Sequence, residues 1–194
     1  MVRSSSPRAR KKSTDDDDDG ESSSKRSNGK NVFVTVGTTS FDALIRALDD
    51  HSVVDVLRDK GYSSLTLQIG RGTYAPRNII PLGASRAVLG GAPGTSGEFV
   101  VECFDFRPSL EQAMRDADLV VSHAGAGSVF EALGLRRPLL VVVNETLMDN
   151  HQVELAEELA GRGHLRWCVP EDVGKALRDF KAEGEAIPPT MRLI

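Results

Sequence analysis

The chain has 194 residues, a formal net charge of −4 and an apolar share of 40%. This length accommodates one α/β domain and a tail, and no run of about 18 apolar residues predicts a membrane-spanning helix. The acidic balance argues against a nucleic-acid-binding protein, and no apolar segment near the N-terminus predicts a secretory signal. The cysteines, Cys103 and Cys168, lack metal-ligand spacing and favour a reduced, cytosolic setting.

Residues 1–30 differ in composition from the rest of the chain. They contain eight serines, eight lysines or arginines and the acidic run Asp15 to Asp19, with very few apolar side chains. Such a segment cannot bury enough apolar surface to offset its chain entropy, so it is predicted to be a disordered tail. The alternative is a basic arm that contacts anionic lipid through Arg8, Arg10, Lys11 and Lys12.

From residue 31 the pattern alternates between strand-like and helix-like segments. Apolar runs predict strands at residues 32–36, 65–69, 99–104, 118–122, 138–143 and 164–169. Apolar residues at helical spacing predict helices at residues 41–60 (one helix, or two divided at Asp49 and Asp50), 109–117, 128–135, 152–160 and 171–180. This alternation predicts the α/β class, with a Rossmann-like, mainly parallel sheet that has helices on both faces.

The connections and ends of this domain are also predicted. Residues 73–97 are rich in Gly, Pro, Ala and Ser and are expected to form a long loop. Thr39 or Ser40 is expected to cap the first helix. The folded domain is expected to cover residues 31–180, and residues 181–194 to form a C-terminal tail.

The segment after the fourth predicted strand has the features of a phosphate-binding turn. This segment is Ser122-His123-Ala124-Gly125-Ala126-Gly127-Ser128. It leads into a helix with Glu131 in its predicted first turn. Gly and Ala let backbone N–H groups approach a diphosphate, whose charge the helix N-terminus favours. The next strand is followed by a second polar loop, 149–152. Two such loops at the carboxyl edge of the sheet predict a nucleotide-sugar site.

Two familiar phosphate motifs do not fit this chain. A dinucleotide fingerprint requires Gly where Phe130 stands, and Gly37-Thr38-Thr39-Ser40 lacks the Lys of a P-loop. The sequence therefore supports neither a nicotinamide-dependent dehydrogenase nor a P-loop NTPase.

Four segments together resemble one known family. They are residues 34–42 (VTVGTTSFD), 67–72 (LQIGRG), 117–128 (ADLVVSHAGAGS) and 147–156 (LMDNHQVELA). Over residues 31–178 the chain resembles the soluble catalytic subunits of the eukaryotic UDP-N-acetylglucosamine transferase. More distantly, it is similar to the C-terminal domain of the bacterial family-28 transferase that makes lipid II. The resemblance implies the C-terminal, donor-binding half of a GT-B glycosyltransferase.

The resemblance implies an inverting transferase divided between two chains. This chain would take GlcNAc from UDP-GlcNAc and add it, β-1,4-linked, to dolichyl-diphosphate-GlcNAc, the second step of lipid-linked oligosaccharide assembly for protein N-glycosylation. A membrane-anchored partner would bind the acceptor and hold this subunit at the cytosolic face of the endoplasmic reticulum. Activity and membrane contact would both depend on that partner, and no nucleic acid, cofactor or metal is expected.

The resemblance also implies roles for particular residues. The diphosphate would be held by Ala124, Gly125, Ala126, Gly127 and Ser128, with Gly37, Thr38 and Thr39 across the cleft near the acceptor. The other parts of the donor would contact Glu131 (ribose), Phe104 and Asp105 (uracil), and Asp149, Asn150, His151 and Gln152 (GlcNAc). His123 would orient the diphosphate loop or donate to the leaving group.

Four of these roles have a structural alternative. Glu131 is also an acid that favours a helix dipole, and Phe104 is also a candidate core residue. The polar loop before Gln152 is also a candidate helix cap, and the segment 37–39 is also a candidate strand-to-helix turn.

No general base is identified in this chain. A base must lie on the acceptor side, opposite the diphosphate, whereas His123 belongs to the diphosphate loop, so the base is expected on the partner. Fixed dipoles would stabilise the leaving group. Two other functions remain open: a nucleotide-sugar binding or regulatory module without turnover, and a self-sufficient UDP-sugar enzyme such as an epimerase, for which one domain is short.

Overall fold

The computed structural model describes residues 29–90, 97–144 and 151–181. Its strands are β1 (Lys30–Thr35), β2 (Tyr62–Gln68), β3 (Arg86–Leu89), β4 (Phe99–Phe104), β5 (Leu119–His123), β6 (Leu139–Val142) and β7 (Arg166–Cys168). Its helices are α1 (Asp42–Leu48), α2 (His51–Asp59), α3 (Glu111–Asp116), α4 (Ala126–Gly134), α5 (His151–Gly161), a short 3₁₀ helix (Pro170–Asp172) and α6 (Val173–Asp179). Within these ranges no helix is long and apolar enough to cross a membrane.

The strand order places a reversal at the centre of the sheet. In the described part of the chain the order is β3-β4-β2-β1-β5-β6-β7, and every neighbouring pair is parallel except β3 and β4. The chain moves outward from β1 to β4 and then returns to form β5 on the other side of β1. Thr35 pairs with Ser122, so β1 and β5 end side by side. This arrangement confirms the predicted Rossmann-like, mainly parallel sheet.

Helices cover both faces of the sheet, as predicted. Along β1, Val32 and Val34 belong to the core formed with α1, α2 and α6, whereas Phe33 belongs to the core formed with α3, α4 and α5. Leu44 of α1 and Val129 of α4 are among the buried helix residues of these two cores. Because both faces are covered, the central strands are almost continuously apolar.

The predicted loop at residues 73–97 is wrong in part, because it contains β3. This strand pairs antiparallel with β4 at the edge of the sheet, and Ala87 and Leu89 pack against the core. Its other two side chains, Arg86 and Val88, are exposed. A four-residue edge strand with two inward side chains has too weak a periodicity to stand out among Gly, Pro and Ser.

The first part of the same segment is fastened to the buried carboxylate of Asp49, in the junction between α1 and α2. The hydroxyl of Tyr74 donates to it at 2.6 Å. The backbone N–H groups of Arg77, Asn78 and Ile79 donate to it at 2.9, 3.0 and 3.0 Å. These four bonds give residues 74–79 a defined path without regular secondary structure.

Two predicted helix starts are corrected by the structure. The residue before α1 is Phe41, which makes no side-chain capping bond, and the hydroxyl of Thr39 donates to the Val36 carbonyl at 2.9 Å instead. α4 begins at Ala126, so Glu131 lies in the second turn and not in the first. The predicted tails fall mostly in residues 1–28 and 182–194, outside the described residues.

Candidate functional site

A cleft of about 450 Å³ opens beyond the carboxyl ends of β1 and β5, where the strand order reverses. The residues that line it are Gly37, Thr38, Gln68, Phe106, Arg107, Pro108, Ser109, Leu110, His123, Gly127, Ser128 and Glu131. A second cavity, of about 440 Å³, lies among β6, β7, α5 and α6 and contains none of the predicted site residues. The reversal point is where doubly wound sheets bind nucleotides, so the first cleft is the candidate site.

Among the described residues, the N-terminus of α4 presents unpaired backbone donors at this cleft. Gly125 occupies the N-cap position and makes no side-chain capping bond. The first helical hydrogen bond runs from the Val129 N–H to the Gly125 carbonyl at 3.1 Å. The N–H groups of residues 126–128 precede that bond and have no helical acceptor. Together with the helix dipole, they suit a phosphate-like anion.

The structure brings together half of the eight residues predicted for the diphosphate loop, 124–128, and for the segment across the cleft from it, 37–39. Those that line the cleft are Gly37, Thr38, Gly127 and Ser128. Those that do not are Ala124, which is buried, Gly125 and Ala126, which start α4, and Thr39. The two loops are close to each other, because a methyl group built on Gly37 would lie 3.6 Å from Oγ of Ser128.

His123 packs between glycines of the two loops. A methyl group built on Gly37 would lie 2.7 Å from its Cε1, and one built on Gly125 would lie 2.2 Å from its Nε2. Gly37 also has a φ of 64°, a conformation that favours glycine. Burial lowers the pKa of the His123 imidazole below its ordinary value, so the ring is neutral at pH 7. In the described part of the chain its Nδ1 has no hydrogen-bond partner.

Gln68 is a site residue that the sequence analysis did not single out. It is buried at the end of β2, and its Oε1 accepts hydrogen bonds from the Thr35 hydroxyl at 2.6 Å and the Val36 N–H at 3.1 Å. Its Nε2 donates to the Asp105 carbonyl at 2.8 Å. The side chain therefore joins the ends of β1, β2 and β4 beneath the cleft. A buried amide between Leu67 and Ile69, at the end of the predicted strand 65–69, is the signal that could have identified it.

Glu131 lines the cleft and is exposed. Because it lies in the second turn of α4, its charge is further from the helix N-terminus than predicted, and the effect of the dipole falls off after the first turn. The dipole alternative for Glu131 is therefore weakened. A carboxylate one turn beyond free N–H groups can accept hydrogen bonds from hydroxyl groups of a ligand held there.

The residues predicted for uracil do not line the cleft. Phe104 is half-buried against the core on the α3 and α4 side of the sheet, and the Arg107 guanidinium carbon lies 3.9 Å from its ring centroid. The Asp105 carbonyl accepts a hydrogen bond from the Gly70 N–H at 3.2 Å in addition to the Gln68 bond. The cleft is lined instead by Phe106 and Arg107, which the sequence analysis passed over.

The residues predicted for the sugar are only partly described. His151 and Gln152 start α5, and His151 is exposed, with Nδ1 3.6 Å from a carboxylate oxygen of Glu154. Neither is among the residues that line the cleft. Asp149 and Asn150 lie outside the described residues.

Neither a cluster of metal ligands nor a reactive thiol is found among the described residues. Across residues 29–90, 97–144 and 151–181, no three His, Cys, Asp or Glu side chains are grouped to hold a metal ion. Burial raises the pKa of Cys103 to about 11 and that of Cys168 to about 12. Both thiols are therefore protonated at neutral pH and poorly nucleophilic.

Comparison with known sequences identifies a family and several relatives that are similar to this chain. Residues 31–192 match the family described as glycosyltransferase family 28 C-terminal domain. The UDP-N-acetylglucosamine transferase subunit ALG13 of Mus musculus is 44% identical over 140 residues, which cover 72% of this chain and 11% of that protein. The subunit of the same name from Eremothecium gossypii is 35% identical over 185 residues, which cover 87% of this chain and 90% of that protein.

Comparison with solved structures identifies similar folds in the same kinds of protein. The solution NMR structure of ALG13 superimposes with a TM-score of 0.61 and 29% identity, covering 82% of this chain and 90% of that chain. Larger GT-B glycosyltransferases, under 25% identical, contain the same type of domain and show the fold alone. This chain spans about a tenth of the length of its mammalian relatives, 11% in each case. The chain belongs to the glycosyltransferase family 28 C-terminal domain family and has the Rossmann-like fold of the C-terminal half of GT-B enzymes.

Proposed function

We propose that this chain is the donor-binding catalytic subunit of a two-chain, inverting N-acetylglucosaminyltransferase. It moves GlcNAc from UDP-GlcNAc to dolichyl-diphosphate-GlcNAc in a β-1,4 linkage, the second step of lipid-linked oligosaccharide assembly for protein N-glycosylation. The observation that carries the proposal is the cleft, where the uncapped N-terminus of α4 and the Glu131 carboxylate stand about one helical turn apart. The name of its relatives, UDP-N-acetylglucosamine transferase subunit, supports the same donor.

The parts of the donor fit successive parts of the site. The diphosphate binds the N–H groups of residues 126–128, with Gly37 and Thr38 beside it. Glu131 accepts hydrogen bonds from the ribose hydroxyls. The uracil lies near the segment that follows β4. The GlcNAc ring contacts the polar residues that lead into α5, which are Asp149, Asn150, His151 and Gln152.

The reaction is a single displacement at the anomeric carbon. The acceptor O4 attacks from the face opposite the diphosphate, the bond from that carbon to the UDP oxygen breaks, and the configuration inverts. The O4 proton passes to a general base, which we assign to the partner because His123 lies on the leaving-group side. The α4 N–H groups stabilise the charge that develops on UDP. His123, neutral at pH 7, orients the loop or donates an N–H to UDP.

We assign the acceptor site and the membrane anchor to a partner chain. A GT-B enzyme closes its cleft between two domains, and the described residues form one sheet with its helices. The relatives are named as subunits, which supports an assembly. The assembled enzyme works at the cytosolic face of the endoplasmic reticulum, where the partner holds this chain. The donor is its only small-molecule requirement, with no cofactor and no metal.

The test is transfer of radiolabelled GlcNAc from UDP-GlcNAc to a short-chain dolichyl-diphosphate-GlcNAc analogue. The chain is assayed alone and with membranes that contain candidate partners. A Glu131→Ala chain is the matched control, because transfer that persists with it comes from enzymes already in the membranes.

Transfer only with membranes supports a divided enzyme. Transfer by the chain alone would locate the acceptor site and the base in this chain. UDP binding without transfer in either condition would favour the alternative, a nucleotide-sugar binding or regulatory module.

A further inference from the structure

We propose that Arg107 contacts the uracil base directly, with its guanidinium stacked between the Phe104 ring and the base; this inference rests on the proposed function. The guanidinium carbon lies 3.9 Å from the centroid of the Phe104 ring. Arg107 lines the cleft and Phe104 does not. Arg107 therefore stands between the aromatic ring and the space that a ligand would fill.

The guanidinium of Arg107 is available to a ligand. The side chain is exposed, and among the described residues no carboxylate lies within ion-pair distance of it. Arginine carries five N–H donors in a plane and stays charged at any physiological pH. An arginine stacked on one face and unpaired at its edge can offer its second face and its donors to a bound molecule.

The backbone that carries Arg107 is held on both sides. Before it, the Asp105 carbonyl accepts hydrogen bonds from the Gln68 side chain at 2.8 Å and from the Gly70 N–H at 3.2 Å. After it, the Leu110 carbonyl accepts a hydrogen bond from the Met114 N–H at 2.9 Å, at the start of α3. The side chain therefore projects from a defined position next to the cleft.

The direction of the nucleotide along α4 leads to the same residue. Residues 126–128 and Glu131 are about one turn apart, roughly 5 Å along the helix axis. With the diphosphate at the first position and the ribose at the second, the base continues away from the N-terminus of α4. Residues 106–110 line the cleft and lead into α3, which packs against α4. Residues 106–110 therefore form the side of the cleft that the base contacts.

Uracil can both stack on the Arg107 guanidinium and accept hydrogen bonds from it. A planar guanidinium stacks on a planar base, and its N–H edge donates to carbonyl oxygens such as O2 and O4 of uracil. Stacking on the Phe104 ring restrains the guanidinium before the ligand arrives, through the attraction between a cation and an aromatic face. Phe104 then acts on the base through Arg107, which reconciles its half-buried position with a role in nucleotide binding.

The test compares UDP with ribose 5-diphosphate, which has a ribose and a diphosphate but no base. Affinities for both are measured by calorimetry with the wild-type, Arg107→Ala and Arg46→Ala chains. Arg107→Ala should weaken UDP binding by about ten-fold, as loss of a base stack does, and leave ribose 5-diphosphate binding unchanged. Arg46 lies 3.8 Å from the Tyr74 ring outside the cleft, so its loss should change neither affinity.

Equal weakening of both ligands by Arg107→Ala would overturn the inference, because it would indicate a phosphate contact. Unchanged UDP affinity would overturn it as well. Arg107→Gln, which keeps a polar stem over Phe104, repeats the comparison if the alanine variant unfolds. A wild-type chain that binds neither ligand would overturn the proposed function instead, so the two failures are distinguishable.

Discussion

The side-chain amide of Gln68 bonds to both polar groups of Gly37: Oε1 accepts from the Gly37 N–H at 3.0 Å, and Nε2 donates to the Gly37 carbonyl at 2.8 Å. Gly37 forms the turn at the end of β1, with a φ of 64°. Gln68 is 1% exposed on the neighbouring strand. The shape of one wall of the cleft therefore depends on a buried side chain from another part of the sequence.

Replacing Gln68 by Leu should destabilise the fold by about 2–4 kcal/mol, because buried and part-buried backbone groups that follow β1 and β4 lose a hydrogen-bond partner at once. UDP affinity should fall too, since the Gly37 turn is no longer held. Urea unfolding measures the first effect and calorimetry the second. Gln112→Leu, on the exposed face of α3, is the matched control and should change the free energy of unfolding by less than about 0.5 kcal/mol. Equal losses in the two variants would contradict this account.

The sheet could largely be predicted because most of its strands are buried on both faces. β1, β5 and β6 are nearly continuous apolar runs, which strands covered by helices require. β3 could not be predicted in this way, since an edge strand with only Ala87 and Leu89 facing the core has no comparable pattern.

The candidate site also has one part that could be predicted from the sequence and one part that could not. The free N–H groups of α4 are a local feature, and the glycines of residues 124–128 make it visible in the sequence. Gln68 gains its position in the site from hydrogen bonds to residues that follow two other strands, Gly37 and Asp105, and no local spacing predicts such contacts. Arg107 contacts the nearby Phe104, but its place in the cleft depends on how the segment after β4 packs beside α4. Sequence reasoning therefore identified the cleft residues at the start of α4 better than those in the segment that follows β4.

Gly127 tests whether a ligand approaches the backbone of α4. A methyl group on Gly127 or on Gly134, in the same helix, would meet no atom within 4 Å beyond the adjacent residues and backbone of α4, among the residues that the structure describes. Alanine at either position should leave the fold intact or stabilise it by up to about 1 kcal/mol, through its higher helix propensity. Only Gly127 lines the cleft, so only Gly127→Ala should weaken UDP binding in calorimetry. Identical UDP affinities for the two variants would argue against a diphosphate at this turn.

Glu131 tests the position of the ribose. Glu131→Ala should weaken UDP binding by about 10- to 100-fold, the effect of losing hydrogen bonds to a charged acceptor. The loss should be smaller for 2′-deoxy-UDP, which already lacks one of the hydroxyls. Glu131→Gln keeps the size of the side chain without its charge and serves as the matched variant. Equal losses of affinity for UDP and 2′-deoxy-UDP would indicate that Glu131 has a structural role and does not contact the 2′-hydroxyl.

Gln152 separates sugar recognition from nucleotide binding. Gln152→Ala should lower turnover by about ten-fold or more with its partner present, because it removes a contact to GlcNAc, while UDP affinity stays nearly unchanged. Glu158→Ala, on the exposed side of α5 where Glu158 pairs with Arg162, is the matched control for the helix. A parallel loss of UDP affinity in Gln152→Ala would contradict a contact to the sugar alone.

His123 should make the stability of the chain depend on pH in mildly acidic solution. Burial lowers its pKa in the folded state below the ordinary histidine value of about 6.5, which applies in the unfolded state. Above that value neither state is protonated at this ring. Below it the unfolded state takes up a proton first, so the free energy of unfolding falls as the pH drops toward the folded-state pKa. Urea unfolding of wild type and His123→Gln between about pH 7.5 and 5 measures this. The wild-type curve should fall more steeply below about pH 6.5, and parallel curves would show that the buried imidazole has no such effect.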